Sequence, residues 1–254
     1  MPQRAPSRAF NGVSLTLILG LLAHAASLYL AVISADGVRF GFAHILSAAS
    51  WIGVGLLWLE GDGPHTGAMR TMVLPVAALV APLPLLFPGA SIQSLAARPL
   101  FVPHMVVGIF AYAVMLLAVV HATVMAMAER SLHRFESDSP SGIRKYIDRL
   151  PPLLTLERIL FRLLGIGFIL LTLTAISGLF FSEEVFGQSL RWNDHKTVLT
   201  LLAWVVFGVL LAGRYIWGWR GRLALRLTVA GYLVMLLGYA GSRFVLEVIL
   251  KRIA

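Results

Sequence analysis

Residues 101–128 read FVPHMVVGIFAYAVMLLAVVHATVMAMA, a run of 28 residues without one Asp, Glu, Lys or Arg. A hydrocarbon core about 30 Å thick is crossed by a helix of roughly 20 apolar residues. The stretch is therefore long enough to span a bilayer as a helix. A barrel strand would instead alternate apolar and polar residues with period two over about ten positions, and this run does not alternate. The reading is helical, and it sets the fold class: all-α, a polytopic transmembrane helical bundle.

Working outward, six further stretches meet the same test, which makes about seven spans. Upstream lie Asn11–Ile33, Gly41–Leu59 and Met69–Phe87; downstream lie Leu163–Phe181, Lys196–Ile216 and Leu223–Ile249. The third contains Pro75, Pro82 and Pro84, which predicts a kink or break, tolerated where neighbours satisfy the freed carbonyls. There is no internal repeat and no low-complexity segment, so residues 1–254 read as one integral membrane domain. The polar, basic start Met1–Arg8 leads into a long apolar run without a small-residue cleavage site, and it reads as a retained first helix.

Composition agrees. Of 254 residues, 58% are hydrophobic and only 13% charged, too few charges to clothe a soluble domain of this size. The net charge of +9 does not point to nucleic acid, because cytoplasmic loops of membrane proteins retain Lys and Arg and face anionic lipid. With the N-terminus in the cytoplasm, 14 of the 21 Lys and Arg fall on the cytoplasmic side and 7 opposite. Half of the larger number comes from one basic loop, residues 129–162. Its Ser137–Ser141 segment reads as a turn. Ile143–Leu150 is expected as a short interfacial helix ended by Pro151 and Pro152. With no cysteine in the chain, disulfides and thiol exchange are excluded.

Ionisable side chains inside a bilayer are costly, and they mark candidate sites. His24 falls near the middle of the first span. His44 and His104 sit just inside the outer ends of the second and fourth, and His195 at the outer mouth of the sixth. His121, 17 residues beyond His104, lies about 25 Å further down the same helix, near the cytoplasmic face. His65 and His133 fall in cytoplasmic loops and receive no role. Each histidine has a plain reading as a hydrogen-bonded interfacial residue. Imidazoles meeting at one level from separate helices, however, are suited to haem iron. In Arg191-Trp-Asn-Asp-His-Lys-Thr197, Asn193 or Asp194 is the expected N-cap, and Asp194 complements the helix dipole. Trp192 has a plain reading as an interfacial belt residue. No paired carboxylates, His-Glu-x-x-His, Walker loop or nucleophile elbow is present, which leaves hydrolases and ATP-driven pumps without support.

The segment Asp194-His-Lys-Thr-Val-Leu-Thr-Leu-Leu-Ala-Trp204, followed by Gly218-Trp-Arg-Gly-Arg222, resembles the Asp-x-Lys-Thr helix and terminal Gly-Trp-Arg-Gly of the CcsA/CcmC cytochrome c assembly family. His104 with Ala111-Tyr112 is similar to that family's helix carrying an external haem-ligating histidine. His24, with Leu46-Ser47 and Ser50-Trp51 downstream, resembles its histidine buried in an early helix. Pro151-Pro152-Leu153 with Leu156-Glu157 resembles a loop of the YpjD-like subgroup. The likeness runs over residues 15–247, and it rests on the order and spacing of the motifs together. It implies haem as cofactor and a haem-handling accessory role in cytochrome c biogenesis or a related membrane-complex assembly. Further implications are a bacterial inner-membrane location, partners among membrane lipids, cytochrome assembly proteins or apocytochrome, and no bond-making catalysis by this chain.

The chain also departs from that family. The tryptophan-rich external loop is reduced to Arg191-Trp-Asn-Asp194, Ala212 stands at the place of the second buried histidine, and the late external histidine is missing. The expected haem-site residues are thus His104, His195, His44, His24, Trp192 and Asp194, with His104 and His195 as metal ligands. His104 pairs with His195 or His44, or holds a five-coordinate haem, or the chain holds none. Two other function classes stay open: a small-molecule transporter lined by the prolines of the third span and His24, and an assembly scaffold without haem.

Overall fold

A computed structural model of the chain describes residues 12–34, 37–133, 150–186 and 194–250. The chain is an all-α transmembrane bundle in which seven helical stretches are long and apolar enough to cross a membrane. Helix α1 is Gly12–Val32, α2 Phe42–Glu60 and α3 Pro64–Val80, followed by the short α4, Leu83–Leu86, and α5, Gln93–Ala96. Helix α6 spans Phe101–His133, α7 Leu153–Phe180, the short α8 Ser182–Phe186 and α9 His195–Trp217. Helix α10, Gly221–Leu236, runs on through a π-helical turn at Leu237–Gly241, one α-turn at Ser242–Phe244 and a second π-helical stretch at Val245–Ile249. Strands β1 (Ile33–Ser34), β2 (Gly37–Phe40) and β3 (Ala90–Ser91) pair antiparallel in that order across one end of the bundle.

The main departures from the sequence reading have physical causes. Helix α7 begins at Leu153, ten residues before the expected start at Leu163. Arg158 and Arg162 broke the apolar run in the sequence, but both are exposed, while Leu156, Leu160 and Leu164 form a fully buried i, i+4 stripe beneath them. The third span passes straight through Pro75 and breaks at Ala81–Pro82. It also starts five residues early, which places His65 in its first turn. The interfacial helix expected over 143–150 falls almost wholly outside the described residues.

Helix α6 is the hub, packed against α7, α2, α10 and α3. Lipid offers no hydrophobic drive between helices, so close contact of small residues has to hold them. Ala111, Ala113, Ala118 and Ala122 of α6 are buried accordingly. On α7, Gly167 lies against the Met115 side chain, where an added Cβ would come 2.8 Å from Cε and oblige the methionine to shift.

At one end the α9–α10 turn is locked by chemistry. Gly218 closes α9 in the left-handed region at φ 67°, and Gly221 opens α10 at φ 59°, conformations glycine adopts without cost. The turn folds Trp219 back onto Gly213, where any Cβ would overlap the indole ring. Buried Glu157 of α7 accepts the Gly221 N–H at 3.3 Å and lies 3.5 Å from Nη1 of Arg214. Arg214 in turn donates to the Trp219 carbonyl at 3.4 Å and sits over the Phe161 ring at 4.7 Å.

The π-helical section has a visible cause as well. Tyr112 of α6 donates its hydroxyl to the Met235 carbonyl at 2.6 Å, immediately before the ladder changes to π spacing. A side chain inserted beside the backbone ladder is a recognised origin of such irregularities. Tyr112→Phe is expected to cost about 1 kcal/mol, read as a lower midpoint of unfolding in mixed detergent–denaturant micelles.

Candidate functional site

At the end of the bundle carrying the small sheet, α6, α7, α9 and the tail of α10 splay apart around a cavity of about 370 Å³. Ligand pockets are commonly of about 300–1,000 Å³, mostly apolar with a few placed polar groups. The walls match that description. Phe101, Met105, Ile109, Leu171 and Met235 are apolar, and His104, Asp194, Lys196, Thr200, Tyr239 and Arg243 supply the polar atoms.

The His104 ring is oriented by α7. Its Nδ1 lies 2.8 Å from Oγ of Ser177, and that hydroxyl lies 2.8 Å from the Leu173 carbonyl. A carbonyl can only accept, so the serine proton goes to Leu173 and its oxygen receives the Nδ1–H of His104. The lone pair is therefore left on Nε2. Phe186 stands edge-on to the ring at 5.2 Å between centroids, and Gly178 passes beside it, where an added Cβ would come within 3.4 Å of Cε1. An imidazole with its second nitrogen held by a hydrogen bond is the usual arrangement of a metal-binding histidine.

Charge is concentrated on the other side of the cavity. Arg243 lies 3.9 Å from Glu247 through Nη1 and Oε1. Lys196, two residues into α9, forms no ion pair among the described residues. Asp194 is the N-cap of α9, its Oδ1 accepting the Lys196 N–H at 3.2 Å, as the sequence suggested. Two cations facing an apolar chamber suit a ligand with an apolar body and acidic substituents.

The remaining expected site residues lie elsewhere. His195 does not line the cavity; its side chain is 59% exposed, with Nδ1 3.4 Å from Asp194. His44 is fully buried in α2, stacked near Phe40 at 5.4 Å, with Nε2 3.4 Å from the Ala31 carbonyl. Its Nδ1 has no partner, and its ring is not among the cavity walls. His24 of α1 hydrogen-bonds Oγ of Ser47 at 2.8 Å, on the flank where α1 packs on α2. Trp192 lies outside the described residues. Of the six, then, the cavity brings together His104 and Asp194. Among the described residues no cluster of three or more His, Asp or Glu is arranged for a metal ion.

Sequence reasoning missed Lys196, Arg243 and Ser177. Arg243 carried a usable signal, a cation far inside the last apolar span, 17 residues past Arg226. Ser177 carried none, because serine on a membrane helix most often bonds its own backbone.

Residues 13–250 match the family described as Cytochrome C assembly protein. Over 237 residues the chain is 28% identical to the inner membrane protein YpjD of Escherichia coli, covering 92% of this chain and 86% of the relative. It is 36% identical over 105 residues to the cytochrome c biogenesis protein CcsA of Gloeothece citriformis, covering 41% of this chain and 31% of that one. A CcsA of Picosynechococcus matches at 38% over 87 residues, 34% of this chain and 25% of the relative. No solved structure matches. A match over nearly the whole length, on a seven-span bundle with a histidine-bearing cavity, makes the chain a member of the cytochrome c assembly protein family.

Proposed function

We propose that this chain is a haem-handling accessory protein in cytochrome c biogenesis, with no bond-making step of its own. The observation that supports it is the mostly apolar cavity whose walls include His104, with its Nδ1 tied to Ser177, together with Lys196 and Arg243. The residues fit haem: an imidazole in the ligating tautomer, apolar walls for the macrocycle, and two cations for propionates. Haem, when bound, would supply an iron open to a nitrogen ligand, and His104 is the residue that would hold it. His104 is the single histidine among the walls, so the site is read as five-coordinate, with His195 and His44 outside the ligand set. Asp194 acts indirectly, by capping α9 and thereby fixing Lys196 at the rim.

In this reading residues 1–254 form one membrane domain of the bacterial inner membrane, with a cytoplasmic N-terminus and the basic 129–162 segment in the cytoplasm beside anionic lipid. The cavity then opens toward the outer face, where other cytochrome assembly proteins or an apocytochrome are the partners. His24, tied to Ser47, is read as a packing group between α1 and α2.

The test is the absorption spectrum of detergent-purified protein from haem-replete cells, oxidised and reduced. A Soret band with the signature of a single-imidazole haem is expected, and a colourless preparation would falsify the haem reading.

A further inference from the structure

At the end of the bundle opposite the cavity, three ionisable side chains from three helices form a hydrogen-bonded chain. Glu60 closes α2, His65 opens α3 and His121 belongs to α6. Oε1 of Glu60 lies 3.3 Å from Nδ1 of His65, Nε2 of His65 lies 2.6 Å from Nδ1 of His121, and Nε2 of His121 lies 2.7 Å from the Leu156 carbonyl of α7. His65 is 7% exposed and His121 fully buried, while the Glu60 carboxylate still reaches solvent.

Counting protons along this chain leaves one conclusion. The Leu156 carbonyl has no proton, so Nε2 of His121 carries one. If His121 is neutral, its Nδ1 is bare and Nε2–H of His65 donates to it. A neutral His65 then presents a bare Nδ1 to the Glu60 carboxylate, and two lone pairs face each other. Every link is satisfied only when the group carries one proton beyond two neutral imidazoles and a carboxylate. That proton can reside on Glu60, on Nδ1 of His65 or on Nδ1 of His121, since each placement preserves all three contacts.

We infer that Glu60, His65 and His121 form a binding site for a single proton, and that the bound proton latches the α2–α3 turn onto α6 and α7. The site is closed at its inner end by a carbonyl, so it stores a proton and does not conduct one. The charged groups around it are few. Arg70 of α3 lies beside the turn, bonded to Asp62 at 2.5 Å and to the Leu57 and Gly61 carbonyls at 3.1 Å. On α7 the neighbouring carboxylate, Glu157, is engaged with Arg214 and Gly221. No other His, Asp, Glu, Lys or Arg on these helices is hydrogen-bonded or ion-paired to the three among the described residues. Losing the proton therefore breaks a link that no neighbour replaces.

The test is hydrogen–deuterium exchange of the full-length protein in nanodiscs, corrected for the intrinsic pH dependence of exchange, from about pH 6 to about pH 9. Protection of residues 57–67 is expected to fall about threefold as pH rises, the effect of losing one half-exposed hydrogen bond. In Glu60→Gln the amide N–H donates to a neutral His65, so protection should stay high and flat. Wild-type protection that does not change with pH, or a Glu60→Gln profile that falls in parallel with it, overturns the proposal. A second measurement covers a variant that fails to fold: ¹⁵N-histidine NMR of the wild type. His65 and His121 must titrate there as one coupled event, and two independent titrations overturn the proposal equally.

Discussion

His104→Ala is expected to remove the haem spectrum from purified protein altogether, the largest functional effect of any single change in the chain. Among the cavity walls there is one imidazole, so its loss leaves iron without a nitrogen ligand. No other histidine stands ready: His195 is turned to solvent and His44 is held against the Ala31 carbonyl. Haem content per protein, measured by pyridine haemochrome, should drop at least tenfold. Ser177→Ala should do less, because the ring keeps its ligating atom and loses only the hydrogen bond that fixes its tautomer; haem should still bind, with affinity weakened about 10-fold. His195→Ala and His44→Ala should leave occupancy near that of the wild type. If His195→Ala or His44→Ala removed the spectrum as completely as His104→Ala, the single-imidazole site would be wrong.

The largest effect on stability is expected from Glu157→Ala. Its carboxylate joins α7 to Arg214 of α9 and to the first N–H of α10 at Gly221. Removing it strands a guanidinium whose side chain is only 23% exposed, together with an unpaired helix N–H. Arg214 is partly exposed and keeps its contacts to the Trp219 carbonyl and the Phe161 ring, so the loss is expected at about 1–3 kcal/mol. The loss should read out as a sharply lower unfolding midpoint in mixed micelles. The double variant Glu157→Leu with Arg214→Leu should recover much of it, since neither charge then remains unpaired. Full loss in the double variant would show that the turn depends on shape alone.

The seven spans were legible because their signal is a sum over some 20 positions, and no single residue decides it. The boundary of α7 was not legible. Arg158 and Arg162 look like loop residues in one dimension, and only the buried face of Leu156, Leu160 and Leu164 shows that they ride on a helix. The capping by Asp194 was legible in the sequence, and His104, singled out there, lines the cavity. The proposed pairing of His104 with His195 or His44 was drawn from equal depth along the membrane normal. Depth says nothing about the direction a side chain takes around its helix, and that direction sends the three rings to different surroundings. The same blindness hid His65. Four residues outside the expected span, it read as an idle loop histidine, yet it is buried against His121, 56 positions away.

Helix α6 is tethered to α7 twice, through His104 to Ser177 near one membrane surface and through His121 to Leu156 near the other. A stiff beam fastened to one neighbour at both extremities cannot pivot at either without loading the opposite fastening. On the proposed readings, proton binding at one end and haem binding at the other would share a mechanical linkage, and vesicles with unequal internal and external buffering should disclose it as a change in porphyrin retention.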